Sequence, residues 1–202
     1  MNKKQIWTIV LLVSGYITLQ LIADVTASKI IDVFGIVFPA GTFIFALTFT
    51  WRDAIHKRLG KEWARASILC AALCNLLMIG YFKLAIDLPQ AIFWQNQEAF
   101  NSILGIVWRI TIASILAELA SELVDTEIYH LFVTKITKRY QWLRVLFSNI
   151  ISIPIDSIIF GLIAFYGQMP IMAIASLCFG QVVFKMLVTV ISLPLIYMVK
   201  EK

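Results

Sequence analysis

From Ile103 the chain reads ILGIVWRITIASILAELA, and nothing constrains its fold more than the recurrence of such runs. A helix needs roughly 20 mostly apolar residues to cross about 30 Å of hydrocarbon. Runs of this kind occupy residues 6–22, 34–51, 64–85, 103–132, 143–166 and 171–199. In hydrocarbon every backbone N–H and C=O has to be paired internally, and a helix does so within a single segment. The expected fold is therefore an all-α integral membrane protein with six transmembrane helices. Composition agrees, with 60% of the 202 residues hydrophobic, 14% charged and a mean hydropathy of +0.87. Lys3 and Lys4 before the first run resemble the start of a signal peptide, but no small-residue cleavage site follows and further spans do, so a retained helix is expected. The connections, the longest around DLPQAIFWQNQEAFNS, are too short for a soluble domain, and residues 1–202 read as one transmembrane domain.

Orientation follows from Lys and Arg, which concentrate in cytoplasmic loops. Lys3 and Lys4 precede the first run; Arg52, Lys57, Arg58, Lys61 and Arg65 follow the second; Lys135, Lys138, Arg139 and Arg144 follow the fourth; Lys200 and Lys202 end the chain. Both termini are expected in the cytoplasm. This topology accounts for the net charge of +5 without a nucleic-acid partner. Cys70, Cys74 and Cys178 lack zinc-site spacing, and His56 and His130 stand at the ends of runs, so no metal is expected. Gly60-Lys61 continues into Glu62 and lacks the upstream glycine of a phosphate loop. Nothing calls for a cofactor.

The polar residues inside the runs carry the functional signal, because a charge at mid-bilayer costs about 2.5–3.5 kcal/mol on insertion scales and faces a cavity or a partner. Glu118, Glu122 and Asp125 stand at i, i+4 and i+7 on one helical stripe, with Ser114 and Ser121 beside it. Arg109 projects from the opposite side and needs a partner on another helix. On the fifth run Asn149, Ser152 and Asp156 share a face with Phe160, and Pro154 releases the carbonyl of Ile150 from its helical bond. Gln181 and Lys185 lie one turn apart on the sixth run, and Tyr16, Gln20 and Asp24 stand at i, i+4 and i+8 on the first. Charges near the ends of runs, Asp24, Arg52, Asp53 and Glu127, read as interfacial anchors or helix caps. Lys185 needs a carboxylate, Asp156 or Asp125. The clustered Glu118, Glu122 and Asp125 would favour protonation by mutual repulsion, which makes a co-transported proton an expectation. Three helices per half, with Pro39 and Gly41 interrupting one middle helix and Pro154 the other, would make two inverted halves around a central site.

The segments ADVTASK, TFTWRDAIHKRLG, WRITIASILAELASELVD, SNIISIPIDSIIFGLIAF and FKMLVTVISLPLIY together resemble the queuosine precursor transporter family, also called the vitamin uptake transporter family. The resemblance runs over nearly the whole chain. Its most specific parts are R-x4-S-x7-[QE]-x2-D, met by Arg109, Ser114, Glu122 and Asp125, and D-[ST]-x2-F, met by Asp156, Ser157 and Phe160. Lys29 and Lys185 fall where the family tends to have lysine. Glu122 stands where relatives often have glutamine and Asp24 where they often have asparagine, two departures that bear on substrate preference.

The resemblance implies a bacterial inner-membrane importer of 7-deazaguanine bases, the salvage precursors of queuosine in tRNA. Such a base offers two adjacent donors, a ring N–H and an exocyclic amine, that a carboxylate matches. Asp125 or Asp156 is the expected reader, with Asn149, Gln181 or Glu122 at the remaining polar edge and Phe160 stacked on the ring. A homodimer is compatible with this class. Two rival classes have their own signatures. A binding subunit of an energy-coupling-factor transporter calls for small-residue repeats on the first helix, and TIVLLVSGYITLQLIAD has no alanine-x3-alanine. An intramembrane carboxylate enzyme calls for His or Cys beside the carboxylates, and neither His is so placed.

Overall fold

The computed structural model describes residues 3–135 and 141–198. Its elements in chain order are α1 (Lys3–Thr26), β1 (Ile30–Val33), β2 (Ile36–Pro39), α2 (Thr42–Leu59), α3 (Lys61–Asp87), α4 (Gln97–Lys135), α5 (Gln141–Phe165) and α6 (Ile171–Met198). On length and composition, five stretches of helix suffice to cross a membrane: Gln5–Thr26, Glu62–Asp87, Gln97–Ser121, Leu146–Phe165 and Ile171–Ser192. The protein is therefore a multi-pass helical membrane protein. α4 is longer than a bilayer is thick, its 39 residues extending roughly 58 Å at 1.5 Å per residue.

The second run departs from expectation. Its N-terminal part is not helical but forms an antiparallel hairpin, β1 against β2, with Ile30 opposite Pro39 and Val33 opposite Ile36. The turn residues Phe34 and Gly35 both have positive φ, 54° and 80°, as a two-residue hairpin turn of the right twist requires. The Gly35 amide donates to Asp32 Oδ1 at 2.8 Å and closes the turn. Ile30, Ile31, Val33, Ile36 and Val37 are β-branched and suit a pleated surface. A short apolar run reads alike as strand or as helix, which is why run length concealed the hairpin. α2 then begins at Thr42, and its last turns carry Arg52, Lys57 and Arg58, so it falls short of a fully apolar span.

The helices alternate in direction. Gly41, just before α2, lies against Ala23 near the end of α1, and Trp51 Nε1 further along α2 donates to the Leu12 carbonyl earlier in α1 at 2.8 Å, so the two helices run antiparallel. Lys185 on α6 meets Asp156 on α5, and Thr189 meets Asn149, so these two also run antiparallel. α2 and α6 run parallel, Phe43 stacking edge-on against Phe184 and Thr50 donating to Ser192 Oγ at 2.6 Å. Neighbour follows neighbour around a closed circuit: α1 packs on α2, α2 on α6, α6 on α5, α5 on α4, and α4 on α1. α3 lies outside that circuit against α1, α2 and α4. Two glycines make the closest approaches possible. A Cβ on Gly41 would sit 2.1 Å from the Ala23 carbonyl oxygen, and one on Gly180 would sit 2.1 Å from that of Val37. The first lets α2 start against α1; the second seats the hairpin on α6.

Candidate functional site

The circuit of five helices surrounds a narrow cavity of about 20 Å³, far below the roughly 300–1,000 Å³ typical of small-molecule sites, so a base-sized ligand needs the walls to move apart. α1 contributes Ala23 and Asp24, the hairpin ends on it at Pro39, and α2 adds Thr42 and Phe45. Ser114 comes from α4, Asp156 and Phe160 from α5, and Gln181 and Lys185 from α6. The 3.6-residue period explains the pairs: Asp156 and Phe160, like Gln181 and Lys185, are one turn apart and share a face.

The Lys185 ammonium donates to Asp156 Oδ2 at 2.5 Å, with side-chain exposures of 1% and 0%. It also reaches Ser157 Oγ at 3.5 Å and stands 4.8 Å from the centre of the Phe45 ring. A buried cation is thus neutralised by a carboxylate and rests on an aromatic face. Of the two partners expected for Lys185, the structure selects Asp156.

Three buried polar atoms on the cavity residues have no hydrogen-bond partner among the described residues: Asp24 Oδ2, Asp156 Oδ1 and Gln181 Nε2. Buried polar groups in folded proteins are nearly always paired, and leaving one unpaired costs about 1–3 kcal/mol. Two acceptors and one donor are thus left unsatisfied around the cavity. Asp24, with 2% exposure, is not the interfacial anchor that its place near a run's end suggested. α1 continues past it to Thr26, and the start of α2 packs against the neighbouring Ala23, which covers this part of the helix. The hydroxyls of Thr111 and Ser114 stand as donors to its carboxylate, while Oδ2 makes a well-formed hydrogen bond with neither. The signal for Asp24 was present in the stripe Tyr16, Gln20, Asp24; nothing in the sequence singled out Thr42 or Phe45.

Other candidates lie elsewhere. Arg109 donates from Nε to the Ile163 carbonyl at 2.7 Å and from Nη2 to that of Tyr166 at 2.5 Å. It therefore caps the C-terminal end of α5, whose last carbonyls lack helical partners. Asn149 donates to Thr189 Oγ1 at 3.4 Å, two turns from Asp156 toward the start of α5. Glu118 accepts from the Tyr16 hydroxyl at 2.7 Å and from Gln20 Nε2 at 3.1 Å, joining α4 to α1. α4 carries Glu122 and Asp125 roughly 12 and 16 Å past Ser114 along its axis; their side chains lie outside the described residues. No group of three His, Cys, Asp or Glu side chains with metal-site geometry occurs among the described residues.

A buried cavity with unpaired polar atoms, walled by helices of a multi-pass bundle, is the architecture of a small-molecule membrane transporter. The family described as "Putative vitamin uptake transporter" matches residues 39–199, and the chain belongs to that family. It is 25% identical over 181 residues to a protein of Bacillus subtilis (strain 168) named "Probable queuosine precursor transporter", an alignment covering 89% of this chain and 79% of the relative. No solved structure gives a significant match.

Proposed function

We propose that this transporter imports queuosine precursors, 7-cyano-7-deazaguanine or a related 7-deazaguanine base, across the bacterial inner membrane for salvage into tRNA. The observation that carries the reading is the conjunction of Asp156 Oδ1 and Gln181 Nε2, an unpaired acceptor and an unpaired donor, on the α5–α6 wall of the cavity. The lactam edge of a guanine-like base offers the complement: a ring N–H for the carboxylate and a carbonyl for the amide, with the exocyclic amine beside them. Lys185 holds Asp156 as a carboxylate in place, and Phe160 offers an aromatic face. Adenine has neither the ring N–H nor the carbonyl, and sites built on buried polar pairs reject mismatched ligands by about 10⁴-fold.

The name of the Bacillus subtilis relative supports the substrate class. The basic residues at the start of α1, across the α2–α3 junction and at the end of α4 support cytoplasmic termini. α1–α3 and α4–α6 are taken as two inverted halves, the first bringing Asp24, Thr42 and Phe45 to the cavity and the second Ser114, Asp156, Phe160, Gln181 and Lys185. A proton is the coupling ion in this scheme. The test is uptake of labelled 7-cyano-7-deazaguanine into lipid vesicles containing the purified protein alone, with and without an imposed pH gradient. Saturable uptake displaced by guanine-type bases and untouched by adenine is expected; absence of uptake would remove the reading.

A further inference from the structure

Beyond the lactam edge, the cavity has a second polar contact on its other side, and it belongs to Asp24. In the circuit of five helices α1 neighbours α2 and α4, whereas α5 and α6 neighbour each other. α1 therefore faces the α5–α6 pair across the cavity. Asp156 Oδ1 and Gln181 Nε2 lie on one wall and Asp24 Oδ2 on the opposite one, each on a residue at least nine-tenths buried and each without a partner among the described residues. The ligand that satisfies all of them has a donor and an acceptor side by side on one edge and a further donor on the far edge.

We propose that Asp24 is a specificity residue that accepts a hydrogen bond from the pyrrole N–H of the base, and so restricts the transporter to the free base. In a 7-deazaguanine the pyrrole N–H stands across the bicyclic ring from the lactam, and it is the atom that carries the sugar in a nucleoside. With the walls parted to admit the ring and the lactam on Asp156 and Gln181, that N–H points toward α1. A ribose or a methyl group there removes the donor and presents bulk to Ala23, Asp24 and Ala27, which line this side of the cavity. The Asp24 oxygen would then stay buried and unpaired, and discrimination by such groups greatly exceeds that of a hydrophobic pocket. Ser114, which lies beside the Asp24 carboxylate, helps hold it in orientation.

This inference rests on the proposed 7-deazaguanine substrate, and the experiment separates the two. Labelled 7-cyano-7-deazaguanine is bound to purified protein in lipid nanodiscs and displaced by the unlabelled base, by its N-methyl derivative at the pyrrole nitrogen, and by the corresponding nucleoside. Wild-type protein should prefer the free base over both derivatives by at least about 100-fold. Asp24→Ala, which removes the acceptor and makes room, should weaken free-base binding while bringing the N-methyl derivative to within about 5-fold of it. Where that variant fails to fold, Asp24→Asn, which keeps a carbonyl acceptor without the charge, should lower the preference by about 10-fold. Equal displacement of the label from wild type by base and N-methyl derivative, or an unchanged preference in a folded Asp24 variant, overturns the role of Asp24 and leaves the base-transport reading standing. A wild-type protein that binds no labelled base overturns both.

Discussion

Replacing Lys185 with Met removes the cation that is paired with a fully buried carboxylate. Asp156 is fully buried, its Oδ2 is held by Lys185, and its Oδ1 has no partner among the described residues. Taking away one member of a buried ion pair typically costs about 3–5 kcal/mol, out of a total stability on the order of 5–15 kcal/mol. At about 2–4 °C per kcal/mol for a chain of this size, the midpoint of thermal unfolding should fall by about 6–20 °C. Asp156→Asn should cost less, because the ammonium retains the Phe45 face and the Ser157 hydroxyl and can donate to the new amide carbonyl. The double variant should then be more stable than Lys185→Met alone, with a coupling energy of about 2–3 kcal/mol. Thermal unfolding of the four proteins in detergent, read by retention of the monodisperse peak after heating, measures the cycle. Single losses that add within about 0.5 kcal/mol would refute the pairing.

Arg109→Ala should destabilise the protein by about 2 kcal/mol through loss of charged hydrogen bonds to the end of α5, yet leave the affinity for base unchanged; a changed affinity with unchanged melting would contradict the capping role. Gly180→Ala should cost about 1–3 kcal/mol, because its methyl meets the Val37 carbonyl and has to push the hairpin off α6, whereas Gly80→Ala on α3, with open space around it, should be tolerated in the same melting assay. In a cysteine-free background, Gln95→Cys between α3 and α4 should react with an impermeant thiol reagent on intact cells and Glu62→Cys at the start of α3 should not; the reverse pattern would invert the topology.

How far the sequence reaches differs from residue to residue. Run length alone identified the crossing parts of α1, α3, α4, α5 and α6, because hydrocarbon thickness sets a minimum length that composition can meet in only one way. Helical period correctly grouped Gln181 with Lys185 and Asp156 with Phe160, since residues four apart share a face whatever surrounds them. The same period grouped Tyr16, Gln20 and Asp24, but could not foresee that the first two would meet Glu118 while the third turned to the cavity.

Facing is a property of the bundle. A helix's rotation about its own axis and its depth relative to its neighbours come from packing many side chains at once, and no single segment encodes them. Tertiary structure therefore chose Asp156 over Asp125 for Lys185, sent Arg109 to the carbonyls of α5, and buried Asp24 near a span's end. The hairpin belongs to the same category. Residues 30–39 are apolar enough for either helix or strand, and the outcome depends on the turn at Phe34-Gly35 and on the contact that Gly180 leaves open on α6. What the sequence determined by itself was a membrane-spanning helical chain with polar stripes on specific faces. Which stripes meet, and hence which atoms are left unpaired among the described residues, was decided by the closing of five helices around a common cavity, because only that closure removes water from those atoms.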